Sequence, residues 1–257
     1  MKIVSGYVAA FWLELVFLVT LLVVIARARK GLKIPEVYKV AGLDHLDEAI
    51  GRATEMGRPV HFSPGIGYLD NAQTLAAFAI LSYAAKACAR YDTPIIVTNR
   101  YSVIYPITEG IVRQAYLEVG KPESFVPDNV RFIAEDQFAY ASGVTGIMNR
   151  ERPAANLLIG AFWAESLIFA EVGNSVGSIQ ISGTANTAQI PFFVAACDYC
   201  LIGEELFAAS AYLSKDPVLM GNLIAEDWGK MVMIAFILIG AILQTFGNSS
   251  FTKLLAK

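Results

Sequence analysis

The chain has 257 residues, 55% hydrophobic and only 17% charged, with a formal net charge of −3. Soluble domains carry about a quarter charged residues, so part of this chain is built for apolar surroundings. A slightly negative balance with no basic patch argues against nucleic-acid binding, and three cysteines form no disulfide framework, as in a reducing compartment.

From the N-terminus, Val8 to Ala26 is an apolar run whose one charged residue is the acid Glu14. About twenty apolar residues cross a bilayer as a helix, so residues 7–26 are predicted as a first transmembrane helix. A cleaved signal peptide has a shorter apolar run preceded by basic residues; here Arg27, Arg29, Lys30 and Lys33 follow it. Residues 27–42 therefore read as a basic juxtamembrane linker on the cytoplasmic side. The second run, Met231 to Phe246, predicts a transmembrane helix over 229–247 and a short tail over 248–257. Two spans of the cell (inner) membrane then leave both termini outside and the intervening body cytoplasmic.

That body, residues 43–214, opens with Leu43, Leu46, Ala49, Ile50, Ala53 and Met56 at helical spacing. A short strand over 59–63 follows, then the glycine loop Pro64-Gly65-Ile66-Gly67 and a helix capped by Asn71 that runs to residue 90. The alternation continues, with strands predicted at 94–97, 130–134, 156–160, 178–182 and 199–202. Between and after them come helices at 107–119, 137–149, 163–172, 187–196 and 204–213, and 215–228 is a connecting helix. Short apolar strands alternating with helices mean a parallel sheet covered on both faces. The predicted fold class is α/β: a Rossmann-like three-layer domain with a mostly parallel sheet of about six strands, inserted between two transmembrane helices.

Ligands of such sheets bind beyond the carboxyl ends of the strands. The polar residues expected there are Ser63, Gly65 and Gly67 after the first strand, Asn99 and Arg100 after the second, Glu135 after the third, and Ser182, Thr184 and Asn186 after the fifth. Gly65 and Gly67 can cradle an anion beside a helix N-terminus, or simply form a tight turn, since the third glycine of G-x-G-x-x-G is missing. Ser182, Thr184 and Asn186 read equally as helix caps, and Arg100 either holds an anion or pairs with Glu135 or Asp136. Cys197 and Cys200 straddle the start of a strand, not the helix N-terminus that a redox pair requires. His45, His61 and Cys88 are scattered, so no metal site and no cofactor are expected. Catalytic residues cannot be assigned. Glu14 is costly inside a bilayer, and a contact with Gln244, within or between subunits, would satisfy both groups.

The stretch Gly57-Arg58-Pro59-Val60-His61-Phe62-Ser63-Pro64-Gly65 resembles the signature of an uncharacterised prokaryotic family of two-anchor membrane proteins, a domain of unknown function. The resemblance implies an N-terminal anchor, an α/β middle and a C-terminal anchor. It carries no catalytic residues.

The expected function is a membrane-anchored oligomeric scaffold or ligand-sensing protein. The alternative is a membrane-bound enzyme acting on a nucleotide, sugar or lipid-linked phosphate at the carboxyl rim, with Ser63, Asn99, Arg100, Glu135 and Thr184 as its working groups. Expected partners are the bilayer and further copies of the chain, with another membrane protein as an additional candidate and nucleic acid excluded.

Overall fold

A computed structural model describes residues 8–30 and 42–246. In chain order these form α1 (Val8–Arg29), α2 (Gly42–Met56), β1 (Val60–Gly65), α3 (Ala72–Arg90), β2 (Ile95–Asn99), α4 (Ile104–Val119), β3 (Val130–Phe132), α5 (Gln137–Glu151), β4 (Ala155–Ala161), α6 (Glu165–Ser175), β5 (Ile179–Thr184), α7 (Ile190–Ala196), β6 (Tyr199–Ile202), α8 (Glu204–Ser214) and α9 (Pro217–Thr245). They fall into two compact units, α1 with α9, and the α/β body over 42–214. Most of the expected linker (31–41) and all of the tail (248–257) lie outside the described residues.

All six strands pair in parallel, in the order β3-β2-β1-β4-β5-β6. This is the doubly wound order, with its topological switch between β1 and β4. Successive strand residues point to opposite faces. Val60, Phe62, Ile95, Val97, Leu157, Ile159, Ile181 and Leu201 join the larger core together with residues of α2, α3, α4 and α8. The opposite face meets α5, α6 and α7 through a smaller core around Tyr140, Phe162, Phe169 and Phe193. Burial on both sides explains why the strands read as near-continuous apolar runs.

Helix starts follow their side chains. Asn71 Oδ1 accepts from Gln73 N at 2.9 Å, Asp136 Oδ1 accepts from Phe138 N and Ala139 N, and Asp216 Oδ1 accepts from Val218 N with Pro217 in the first turn. α4 begins a turn earlier than expected, because Pro106 sits in a first turn, where a missing N–H costs nothing. β1 also outruns its expected end. Pro64 and Gly65 belong to the strand, held by pairing with β4 across a register shift.

Among the described residues two helices are long and apolar enough to cross a membrane, α3 and α9. More than half of α3's apolar window is buried, which makes it a core helix of the body, whereas none of α9's is. α1 has 22 residues and exposes Phe11, Trp12, Val16, Leu18 and Leu22 among others. Glycine at 229 lets the two helices approach closely, since a Cβ there would lie 2.6 Å from Phe17 Cε2.

Candidate functional site

The seam between β1 and β4 is closed by glycine. Gly65 has φ +78° and Gly160 φ +136°, conformations that favour glycine. A Cβ on Gly65 would collide with the Ala161 carbonyl, and one on Gly160 with that of Pro64. Ile66 N donates to Ala161 O at 2.7 Å, which draws the two strand ends together past their regular pairing.

Polar side chains around the seam bind one another. Gln73, in the first turn of α3, accepts from Thr184 Oγ1 at 3.0 Å and from Ala185 N at 2.7 Å, tying α3 to the end of β5. Asn186 Nδ2 donates to Phe162 O at 2.9 Å, and its backbone N–H donates to Thr184 Oγ1. Asn99 is fully buried, accepting from Thr108 Oγ1 and donating to Arg131 O. Arg100 Nε donates to the backbone carbonyl of Glu135, not to its carboxylate, and the guanidinium lies 4.9 Å from the Tyr101 ring centre. The Glu135 carboxylate instead accepts from Ser102 Oγ at 2.7 Å. Glu165, 1% exposed, accepts from Gln137 Nε2 and Trp163 N. Gly67 packs against Thr74, whose buried hydroxyl has no hydrogen-bond partner among the described residues.

Below the rim a directional hydrogen-bonded row crosses the sheet. His61, Asn156 and Gln180 are neighbours in register on β1, β4 and β5. Asn156 Nδ2 donates to Gln180 Oε1 at 2.9 Å, so its Oδ1 accepts from His61 Nδ1 at 2.7 Å. His61 Nε2 must then accept, and Thr98 Oγ1 donates to it at 3.0 Å. Gln180 Nε2 ends the row on the carbonyls of Ala170 and Ala196. Tyr140 OH donates to Thr98 O at 3.1 Å, which leaves Ser63 Oγ to donate to the tyrosine oxygen at 2.8 Å. Burial pushes His61 down to about 4 and Tyr140 up to about 12, so both are neutral near pH 7. Gly173 on α6 keeps this row intact, because a Cβ there would run into the Gln180 amide.

Ser182 is buried on β5 and donates to Tyr199 O. Burial also raises the nearby Cys197 thiol to about 12, against the pull of the Ser182 hydroxyl. Cys197 is the C-cap of α7, the wrong helix end to favour a thiolate. Among the described residues no three His, Cys, Asp or Glu side chains group as a metal would require. A cavity of about 210 Å³ opens at the amino end of β5 and β6, away from the rim. His45, Glu48 and Arg52 of α2 line it with Asp198 and Tyr199, and His45 stacks on Tyr199 with ring centres 3.3 Å apart.

Within one chain, Glu14 and Gln244 are not brought together. Phe17 meets Gly229, three residues from Glu14 but fifteen from Gln244. At 1.5 Å per residue Gln244 lies about 22 Å along α9 from that crossing. A contact between them is left to separate copies.

Sequence reasoning missed Gln73, Tyr140, Asn156 and Gln180. The strand residues carried a signal, since His61, Ser63, Thr98, Asn156, Gln180 and Ser182 are polar positions on otherwise apolar strands.

Residues 4–255 match the family described as a domain of unknown function, DUF6754. The chain belongs to that family. This agrees with the resemblance drawn from residues 57–65 in that both give an uncharacterised domain family, and the match spans nearly the whole chain. No curated protein and no solved structure matches.

Proposed function

We propose that this member of the family is a membrane-anchored, homo-oligomeric scaffold whose Rossmann-like body stands at the cytoplasmic face of the cell membrane. The observation that carries the reading is the laced rim. Ser63, Asn99, Arg100, Glu135 and Thr184 are each held by another group of the chain. A transfer enzyme would need several of them free and converging on substrate; a structural platform needs them to hold the sheet's loops in one shape. α9 supports the anchoring, with an apolar window that the protein does not bury. Arg27, Arg29 and Lys30 at the end of α1 support the cytoplasmic side.

Native mass measurement of the full chain in a mild detergent tests the reading. Closed oligomers of one defined subunit number are the expected result. Monomers alone at every protein concentration would refute it.

A further inference from the structure

Between Arg152 and Lys215 the chain contains no lysine, arginine or histidine, while Glu165, Glu171, Asp198, Glu204 and Glu205 fall within the same stretch. This stretch builds β4 through α8, one whole flank of the body. It ends the sheet at β6, whose outer edge has no neighbouring strand among the described residues.

On this flank α6 packs on α7, and α7 on β6. Their outward side chains are large and apolar: Trp163 (61% exposed), Leu167, Ile168, Phe192, Val194 (53%) and Ile202. Phe192 and Phe193 show the division clearly, since Phe193 is fully buried beside Phe162 and Phe192 points out. Summed, the six expose on the order of 500 Å² of apolar surface. That is about the apolar share of one side of a standard interface of about 800 Å². Acids border it. Glu171 lies four residues after Leu167 and three after Ile168, on the same stripe of α6, and Glu204 and Glu205 come two and three residues after Ile202, whose N–H donates to the Glu205 carboxylate.

We propose that the outer face of α6 and α7, with the edge of β6, docks a partner segment that combines an apolar stripe with flanking Lys or Arg. Charge decides the occupant. An anionic lipid surface needs cations; β4 through α8 supply none, and Arg58, on Val176 O, and Arg52, beside Asp198, stand at the amino ends of the strands, away from Trp163 and Ile202. A two-fold contact with a second copy would set the same acids against each other at a self-complementary interface. A basic amphipathic helix meets both features, its apolar stripe on the aromatic face and its cations on the acidic border.

This rests on the scaffold reading and names the partner such a scaffold would hold. The probe is a fluorescent helical peptide of about five turns, leucine on one face and lysine on the other, with a twin carrying glutamate for lysine. It is titrated onto the full chain in nanodiscs of zwitterionic lipid, with empty discs as blank. Saturable, salt-sensitive binding of the lysine peptide is expected, with the glutamate twin weaker by about tenfold or more. Phe192→Ser should weaken it by a similar factor, and Glu171→Lys, which leaves the apolar face intact, should lower affinity for the lysine peptide and raise it for the twin. Equal binding of the two peptides, or no change in either variant, overturns the proposal. So does efficient disulfide crosslinking between copies of a Phe192→Cys variant, because a second copy then covers the face. An oligomer that ignores the peptide sinks the docking surface alone, whereas a monomer that binds it sinks the scaffold alone.

Discussion

His61 is buried, neutral and fixed in one tautomer by Asn156 on β4, itself oriented by Gln180 on β5, and by Thr98 on β2. Unfolded, it titrates near the usual 6.5; folded, near 4. Between those values the unfolded chain binds a proton that the folded chain refuses, so stability is complete above about pH 6.5 and falls as pH drops toward 4. Urea unfolding should show the native chain losing about 2 kcal/mol more than His61→Gln between pH 7.5 and pH 5. An equal loss in both would place the titration elsewhere. Thr74 gives a prediction of opposite sign to most core substitutions. Its hydroxyl is buried without a hydrogen-bond partner among the described residues, so the near-isosteric Thr74→Val should stabilise the body by about 1 kcal/mol, seen as a higher unfolding midpoint. The sequence marks His61 as a strand residue with apolar neighbours. It does not mark Gln73 at all, because a glutamine in a first helical turn reads as surface until β5 is placed beside it.

At the scale of elements, the seam between β1 and β4 holds the sheet's two halves together. Gly160→Ala puts a side chain at φ +136° and against the Pro64 carbonyl, and should cost about 3 kcal/mol or more. Thermal unfolding checks this, and a loss within about 0.5 kcal/mol, usual for a surface site, would contradict the seam's role. Periodicity made every α-helix and strand of the body legible, though not the short 3-10 turns at Pro122–Ser124 and Pro127–Asn129, and β6 (Tyr199–Ile202) has the bounds expected of it. Strand order was not legible, because it depends on which apolar faces meet and not on any one segment. The loop expected at Pro64-Gly65 became strand for the same reason, its partner being Ala161, far along the chain. The place where α1 approaches α9 was equally invisible. Phe17 against Gly229 sets Glu226, Asp227 and Lys230, which pair within α9, beside the middle of α1. The two apolar runs are thus staggered along each other.

For the whole molecule, the proposal is a structural body anchored at the membrane, and the laced rim, the doubly wound sheet and the apolar window of α9 are what support it. The rim candidates were found by position, since the carboxyl ends of the strands can be read from the alternation. What those residues do there could not be read, because hydrogen bonds such as Arg100 to the Glu135 carbonyl join segments far apart in sequence. The most direct test of the anchored arrangement is cysteine labelling in intact cells. With Cys88, Cys197 and Cys200 replaced by serine, a single cysteine at Phe138, 68% exposed on α5, is offered a membrane-impermeant maleimide before and after permeabilisation. The account predicts labelling only after permeabilisation, on a chain that stays in the membrane pellet through an alkaline carbonate wash. Labelling of intact cells, or release of the chain by the wash, would contradict it.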